Sequence, residues 1–206
     1  MARPVKVIRA LLALLFSGAA LAQAPNSLLL IAKPTLLDPN FSRTVVLVTQ
    51  AEDASTVGVI LNRPAPAKLA EFLPKEPTAA NYKDRVYQGG PVMRQVILAV
   101  FRAPTPPAAP AFPVLKGIYL TMHPDNIKAL LADPARSYRI YAGFSGWAPR
   151  QLESEFVRDG WYVLPADAAT VFRKETEGMW EELVRKATRP KPTTRRNDIP
   201  ALIALQ

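Results

Sequence analysis

The sequence predicts an α+β domain, with a mixed and largely antiparallel sheet and helices inserted between its strands. Three observations carry this. Short apolar or β-branched runs recur along the chain, each bounded by Pro, Gly or polar residues. Two of them, residues 44–49 and 56–61, are separated by a short polar stretch that suits an antiparallel hairpin. Helical segments fall irregularly between the runs, without the steady alternation of a doubly wound sheet.

Taken in order, Ser27-Leu-Leu-Leu-Ile-Ala32 lies between Pro25 and Pro34 and reads as a buried strand. Thr44-Val-Val-Leu-Val-Thr49 is the second strand and Thr56-Val-Gly-Val-Ile-Leu61 the third. Residues 68–73 suit one or two helical turns. Residues 85–88 form a short strand running into Gly89-Gly90-Pro91, and residues 95–101 a stronger one. Residues 103–113 hold five prolines and read as an extended surface loop, since Pro can neither donate to a ladder nor continue a helix. A strand over 117–122 precedes a helix over 125–132, with Pro124 near its start and Pro134 beyond its end. A strand over 137–141 is expected to deliver a glycine turn, Gly143-Phe144-Ser145-Gly146-Trp147. A helix over 149–158, ended by Gly160, and a strand over 161–164 follow. Asp167 can cap a turn. In a final amphipathic helix over 175–186, Met179, Trp180, Leu183 and Val184 share one face.

The chain divides into three parts. Arg3, Lys6 and Arg9 precede a 13-residue apolar run ending in Ala20-Leu21-Ala22, the pattern of a cleavable secretory signal peptide over residues 1–22. The run falls short of the roughly 20 apolar residues that span a bilayer. Residues 23–187 form a single domain of ordinary size. Residues 188–206 form a Pro- and Arg-rich basic tail, expected to be unpacked. The formal net charge is +9, yet residues 23–184 carry 17 basic and 16 acidic side chains. The excess therefore sits at the ends of the chain, unlike a DNA-reading domain that concentrates it on a folded surface. Specific nucleic-acid binding is not expected; the tail reads as a solvated end, with weak contact to an anionic surface as the alternative. The chain has no Cys and one His, which leaves no thiolate nucleophile and little for a zinc site, so no metal or cofactor is expected.

Four segments hold more polar and special residues than packing requires. Asp38-Pro39-Asn40-Phe41-Ser42-Arg43 reads either as an ordinary turn or as a loop that holds an anion through Ser42 and Arg43. Asn62-Arg63 follows a buried strand; a buried Arg needs a partner, and an ion pair of Arg63 with Asp38 or a Glu is the plainer reading. Gly89-Gly90 allows close backbone approach, either as a turn or as N–H groups facing a carboxylate or phosphate. The fourth runs from Gly143 through Gly146 and Trp147 to Gln151, Glu153 and Glu155. Gln151 and Glu155 share a helix face, while Glu153 lies off it. Two carboxylates so near can serve as acid and base, and the alternative is a solvated polar face anchored by Trp147. A hydrolase built on Ser145 would need His123 as its base, and its Gly-x-Ser-Gly-Trp pattern departs from the nucleophile elbow.

These segments together resemble the YqgE/AlgH family of bacterial proteins. The likeness rests on residues 27–48, on Gly58-Val-Ile-Leu-Asn-Arg-Pro64, on Gly89-Gly-Pro-Val92, and on Gly146-Trp147 with Gln151-Leu152-Glu153-Ser154-Glu155, in that order. The resemblance implies an α+β fold with a small β-barrel-like core surrounded by helices, and no established activity. Members are often labelled transcriptional regulators. Relatives often carry a histidine after the second strand and another near the end of the strand following Gly-Gly-Pro-Val; here those places read Val48-Thr49-Gln50 and Ala99-Val100-Phe101. Relatives usually lack a signal peptide.

The expectation is therefore an exported, non-enzymatic binding or accessory protein, periplasmic or secreted, whose partner is an unidentified small ligand or protein. Its groove is expected to gather Asp38, Asn40, Ser42, Arg43, Asn62, Arg63, Gly89, Gly90, Gly146, Trp147, Gln151, Glu153 and Glu155. The alternatives are a transcriptional regulator in the cytoplasm, and a hydrolase using Glu153 and Glu155 or Ser145 and His123.

Overall fold

The fold comes from a computed structural model, which describes residues 27–133 and 135–189. The signal peptide expected at 1–22 and the tail from residue 190 onward lie outside the described residues. Nine strands form one sheet: β1 (Leu28–Ala32), β2 (Val45–Gln50), β3 (Thr56–Ile60), β4 (Val86–Gln88), β5 (Val92–Arg102), β6 (Phe112–Leu115), β7 (Ile118–Thr121), β8 (Tyr138–Trp147) and β9 (Trp161–Pro165). Around it lie α1 (Leu69–Phe72), a 3-10 turn (Pro77–Asn81), α2 (Pro124–Leu131), α3 (Gln151–Val157), α4 (Ala168–Val171) and α5 (Met179–Thr188).

The strand order is β6-β7-β5-β8-β3-β2-β1-β9, with β4 added in parallel beside β8 and every other pairing antiparallel. The expected hairpin forms between β2 and β3, with Gln50 opposite Thr56. The sheet curls until β6 approaches β2, where the Thr49 hydroxyl donates to the Pro113 carbonyl at 3.1 Å. It does not close: β6 and β9 remain its two edges. The architecture is thus mixed α+β on an open, curled sheet, and the barrel-like core is corrected to that.

The sheet is covered on both faces, which is why its strands read as continuous apolar runs. Leu29 and Ile31 of β1 point into one core with Leu47, Val100, Tyr141 and Trp180, while Leu30 and Ala32 point to the other side with Trp147, Leu152 and Trp161. A third cluster sets Ile97, Ala99 and Phe101 of β5 against Ile127, Leu130 and Leu131 of α2. A fully buried Leu or Ile in such a place contributes about 2 kcal/mol.

Three elements differ from the sequence-based expectation, each for a local reason. Residues 138–147 are one strand rather than a strand and a glycine turn, because Gly143 at φ 71° bends β8 without ending it. A Cβ on Gly143 would lie 2.9 Å from the carbonyl oxygens of Gly90 and Val92, so the kink is packed against its neighbours. The proline-rich stretch ends in β6, where Pro113 is tolerated because the strand is an edge. The last helix begins at Met179 rather than 175, since Gly178 before it adopts φ 68°.

Candidate functional site

The loop after β1 is held by its own backbone. The Asp38 carboxylate accepts from the Asn40 N–H at 2.7 Å, and the Asp38 carbonyl accepts from the N–H groups of Phe41 and Ser42. Asn62, just past β3, locks this loop to β2: its Oδ1 accepts from the Val45 N–H at 2.9 Å and its Nδ2 donates to the Arg43 carbonyl at 3.0 Å. The Arg63 guanidinium donates to the carbonyls of Asn40, at 2.7 Å, and Ser42, at 3.2 Å. The expected ion pair is replaced by these two backbone contacts. Burial lowers the Arg63 pKa from its ordinary value, and the charge of Asp38 opposes that shift. Arg43, at φ 55°, pairs with Glu181 and lies 4.6 Å over the Trp180 ring, which ties the loop to α5.

Gly89 is spent on packing. Its N–H donates to the Ala142 carbonyl at 2.9 Å, and its carbonyl accepts from the Ile60 N–H and the Ser145 hydroxyl. A Cβ on Gly89 would lie 2.1 Å from the Gly143 oxygen, and one on Gly90 would lie 2.3 Å from the Phe144 carbonyl. Only glycine lets the chain pass so close to β8. Ser145 is fully buried in mid-strand with its hydroxyl on Gly89. His123 caps α2, with Nδ1 accepting from the Asp125 N–H at 3.3 Å. The two contact different neighbours and form no nucleophile–base pair.

Beside that loop stands an aromatic cluster. Phe41 stacks on Trp147 with centroids 5.7 Å apart and meets Trp161 edge-on at 5.6 Å. Glu155 receives both indoles: Trp147 Nε1 donates to one carboxylate oxygen at 3.1 Å and Trp161 Nε1 to the other at 2.9 Å. Gln151 accepts from the Ala148 N–H at the entrance to α3. Gly146 pairs with Val57. Glu153 is turned elsewhere, lining a small groove with Gln50, Thr56 and Arg150 near the β2–β3 hairpin. Asp38, Asn40, Ser42, Arg43, Asn62 and Arg63 thus share one hydrogen-bonded loop network, Gly89 and Gly90 pack against β8, and Trp147 and Glu155 belong to the aromatic cluster that Phe41 joins to the loop.

An open cleft of about 530 Å³ lies elsewhere, unmarked in the sequence reading. Tyr82, Tyr87, Tyr138 and Phe172 line it together with Lys83, Arg85, Arg136, Arg139 and Lys174, against Asp84 and Glu175. Arg139 is only 7% exposed. Its guanidinium donates to the carbonyls of Val171, at 2.8 Å, and Leu61, at 3.0 Å, and sits 4.0 Å over the Tyr87 ring. Tyr141 packs next to it, fully buried, and its hydroxyl has no hydrogen-bond partner among the described residues. Burial pushes the Tyr141 phenol up to about 12. The sequence carried one signal for this cleft: a lone Arg among the apolar and aromatic residues of Tyr138-Arg-Ile-Tyr141.

Among the described residues no three of His, Asp and Glu come together to hold a metal, and no helix is long and apolar enough to cross a membrane.

Comparison with known proteins places this arrangement. A family model described as AlgH-like matches residues 29–191. A UPF0301 protein of Streptomyces avermitilis is 35% identical over 162 residues, covering 77% of this chain and 84% of the relative. A UPF0301 protein of Mycobacterium tuberculosis H37Rv is 34% identical over 165 residues, covering 79% and 82%. The solution structure of the AlgH protein from Pseudomonas aeruginosa shares the fold at a TM-score of 0.66, with 23% identity, over 84% of this chain and 95% of that one. A crystal structure of a Corynebacterium diphtheriae protein matches with a TM-score of 0.61 and 26% identity, over 82% and 88%.

Proposed function

The chain belongs to the AlgH-like family, and on that premise we propose that it is an exported, non-enzymatic binding or accessory protein. The observation that carries this reading is the engagement of Ser145 and Glu155. A hydrolase needs a nucleophile or an acid/base pair at a surface that substrate can reach. Here the Ser145 hydroxyl is buried on the Gly89 carbonyl, and both oxygens of Glu155 are occupied by indole N–H groups. The open cleft is instead lined by cations and rings, the side chains of a binding surface.

Export rests on the three-part pattern of residues 1–22. Once outside, the basic tail would lie against anionic membrane or wall polymer.

Fractionating cells that express the tagged protein and sequencing its mature N-terminus tests the localisation. A periplasmic chain beginning at Gln23 is expected. A cytosolic chain retaining Met1 overturns export and returns weight to the regulator label. In that case duplex DNA binding should be salt-dependent and survive deletion of residues 188–206. Binding lost with the tail alone is nonspecific attraction. Turnover of activated esters that Ser145→Ala abolishes would overturn the non-enzymatic reading.

A further inference from the structure

We propose that the cleft floored by Arg139 binds an aromatic phosphate, a planar ring carrying a phosphate ester, of the size of a nucleoside monophosphate. This rests on the binding-protein reading and gives it a ligand class.

The charge argument starts at the floor. Arg139 is buried, yet among the described residues it contacts two carbonyls and the Tyr87 and Tyr141 rings and forms no ion pair with a carboxylate. Carbonyl dipoles and a ring face hold a guanidinium in place without cancelling its charge. A guanidinium has five N–H donors, so hydrogen bonds to Val171 and Leu61 leave further donors. Lys83, Arg85, Arg136 and Lys174 add four exposed cations, against Asp84, Glu175 and the Asp133 that pairs with Arg136 at 3.1 Å. Residues 23–184 are almost balanced in charge, so this excess is local. A concave, ring-walled surface focuses such a potential on whatever enters it. Five cations less three carboxylates leave an excess of two charges, more than a monocarboxylate neutralises, whereas a phosphate ester brings close to two charges and three acceptor oxygens.

The second argument is shape. Tyr82 and Tyr138 stack at 5.5 Å and share the wall with Tyr87 and Phe172. Aromatic walls take planar rings by stacking, at about 1–3 kcal/mol per base in nucleic-acid sites. At about 530 Å³ the cleft lies within the range of small-molecule sites.

Calorimetric titration of the purified full chain tests this, with AMP as the probe and adenosine and inorganic phosphate as its two halves. AMP is expected to bind at least about tenfold more tightly than either half, a difference near 1.4 kcal/mol, and to weaken as salt is raised. Arg136→Gln with Lys174→Gln, both on the exposed rim, should weaken AMP by about tenfold or more while the thermal midpoint holds. Arg139→Gln should abolish binding; should that variant fail to fold, the rim variant decides. The proposal is overturned when AMP binds no better than inorganic phosphate, or when the rim variant binds it as the parent does. Failure here, with another small molecule copurifying from cells, removes the ligand class and leaves the binding-protein reading intact. Turnover of activated esters strikes that reading and leaves AMP affinity untouched.

Discussion

Trp161 donates its indole N–H to Glu155 at 2.9 Å, across the turn that joins α3 to β9. The same carboxylate takes the indole of Trp147 from the end of β8. Glu155 thus fastens the last helical turn before β9 to two strands. Glu155→Ala leaves two buried donors without acceptors and is expected to cost about 2–4 kcal/mol. Glu155→Gln keeps one acceptor oxygen and should cost about half as much. Urea denaturation followed by tryptophan fluorescence reads both; a neutral Glu155→Ala would show that the indoles find other partners.

Arg63 is expected to behave as a loop clamp. Arg63→Ala removes two charge-assisted hydrogen bonds to the carbonyls of Asn40 and Ser42, a loss of about 2–3 kcal/mol. Arg63→Lys should recover only part of it, because an ammonium lacks the fork that reaches both carbonyls. Amide hydrogen exchange over residues 38–43 should speed up in both variants, more in the first.

Gly89→Ala tests close approach. The new methyl would sit 2.1 Å from the Gly143 carbonyl oxygen, so β4 or β8 must shift. A loss of about 3 kcal/mol or more is expected, seen as low soluble yield and an early denaturant midpoint. A tolerated Gly89→Ala would contradict the packing described.

Ser145→Ala removes one buried hydrogen bond to the Gly89 carbonyl and should cost about 1 kcal/mol in a chemical melt.

Alkaline titration should expose the buried phenols. Burial raises the pKa of Tyr82 and Tyr138, and that of Tyr141 to about 12 from 10.0. Below pH 10 these tyrosines are protonated in both folded and unfolded chains and favour neither. Above it the unfolded phenols ionise first, so stability falls from about pH 10 to about 12. For Tyr141 alone the loss approaches about 2–3 kcal/mol. Absorbance at 295 nm should show these three ionising together with the loss of far-ultraviolet circular dichroism. Ionisation of Tyr141 well before unfolding would show that it is less buried than described.

Much of the fold was legible because strand identity is written in local composition. β1, β2 and β3 lie within one residue of the runs that announce them. The β8 bend was misread, since a glycine that kinks a strand and one that ends it look alike until the partner strand is known. That the sheet stays open was not legible either: whether β6 meets β2 by a ladder or through the Thr49 contact depends on curvature summed over the six strands from β6 to β2. The polar segments stand out in the sequence because their residue types exceed what packing needs. What composition alone could not reveal was that Asn62, Arg63, Trp147 and Trp161 each donate to an internal acceptor. Arg139 is hard to read from sequence because strands hide single charges well, and the cleft is assembled from three separate stretches of chain.

β1 lies between β2 and β9, so the first strand of the domain pairs with the last, from Leu28 against Pro165 to Ala32 against Trp161. Contacts so distant in sequence slow folding, because a long loop must close before they form. The sheet stays incomplete until β9 emerges near the end of the chain. Until β9 is made, β1 keeps one bare edge, open to any other strand that can reach it.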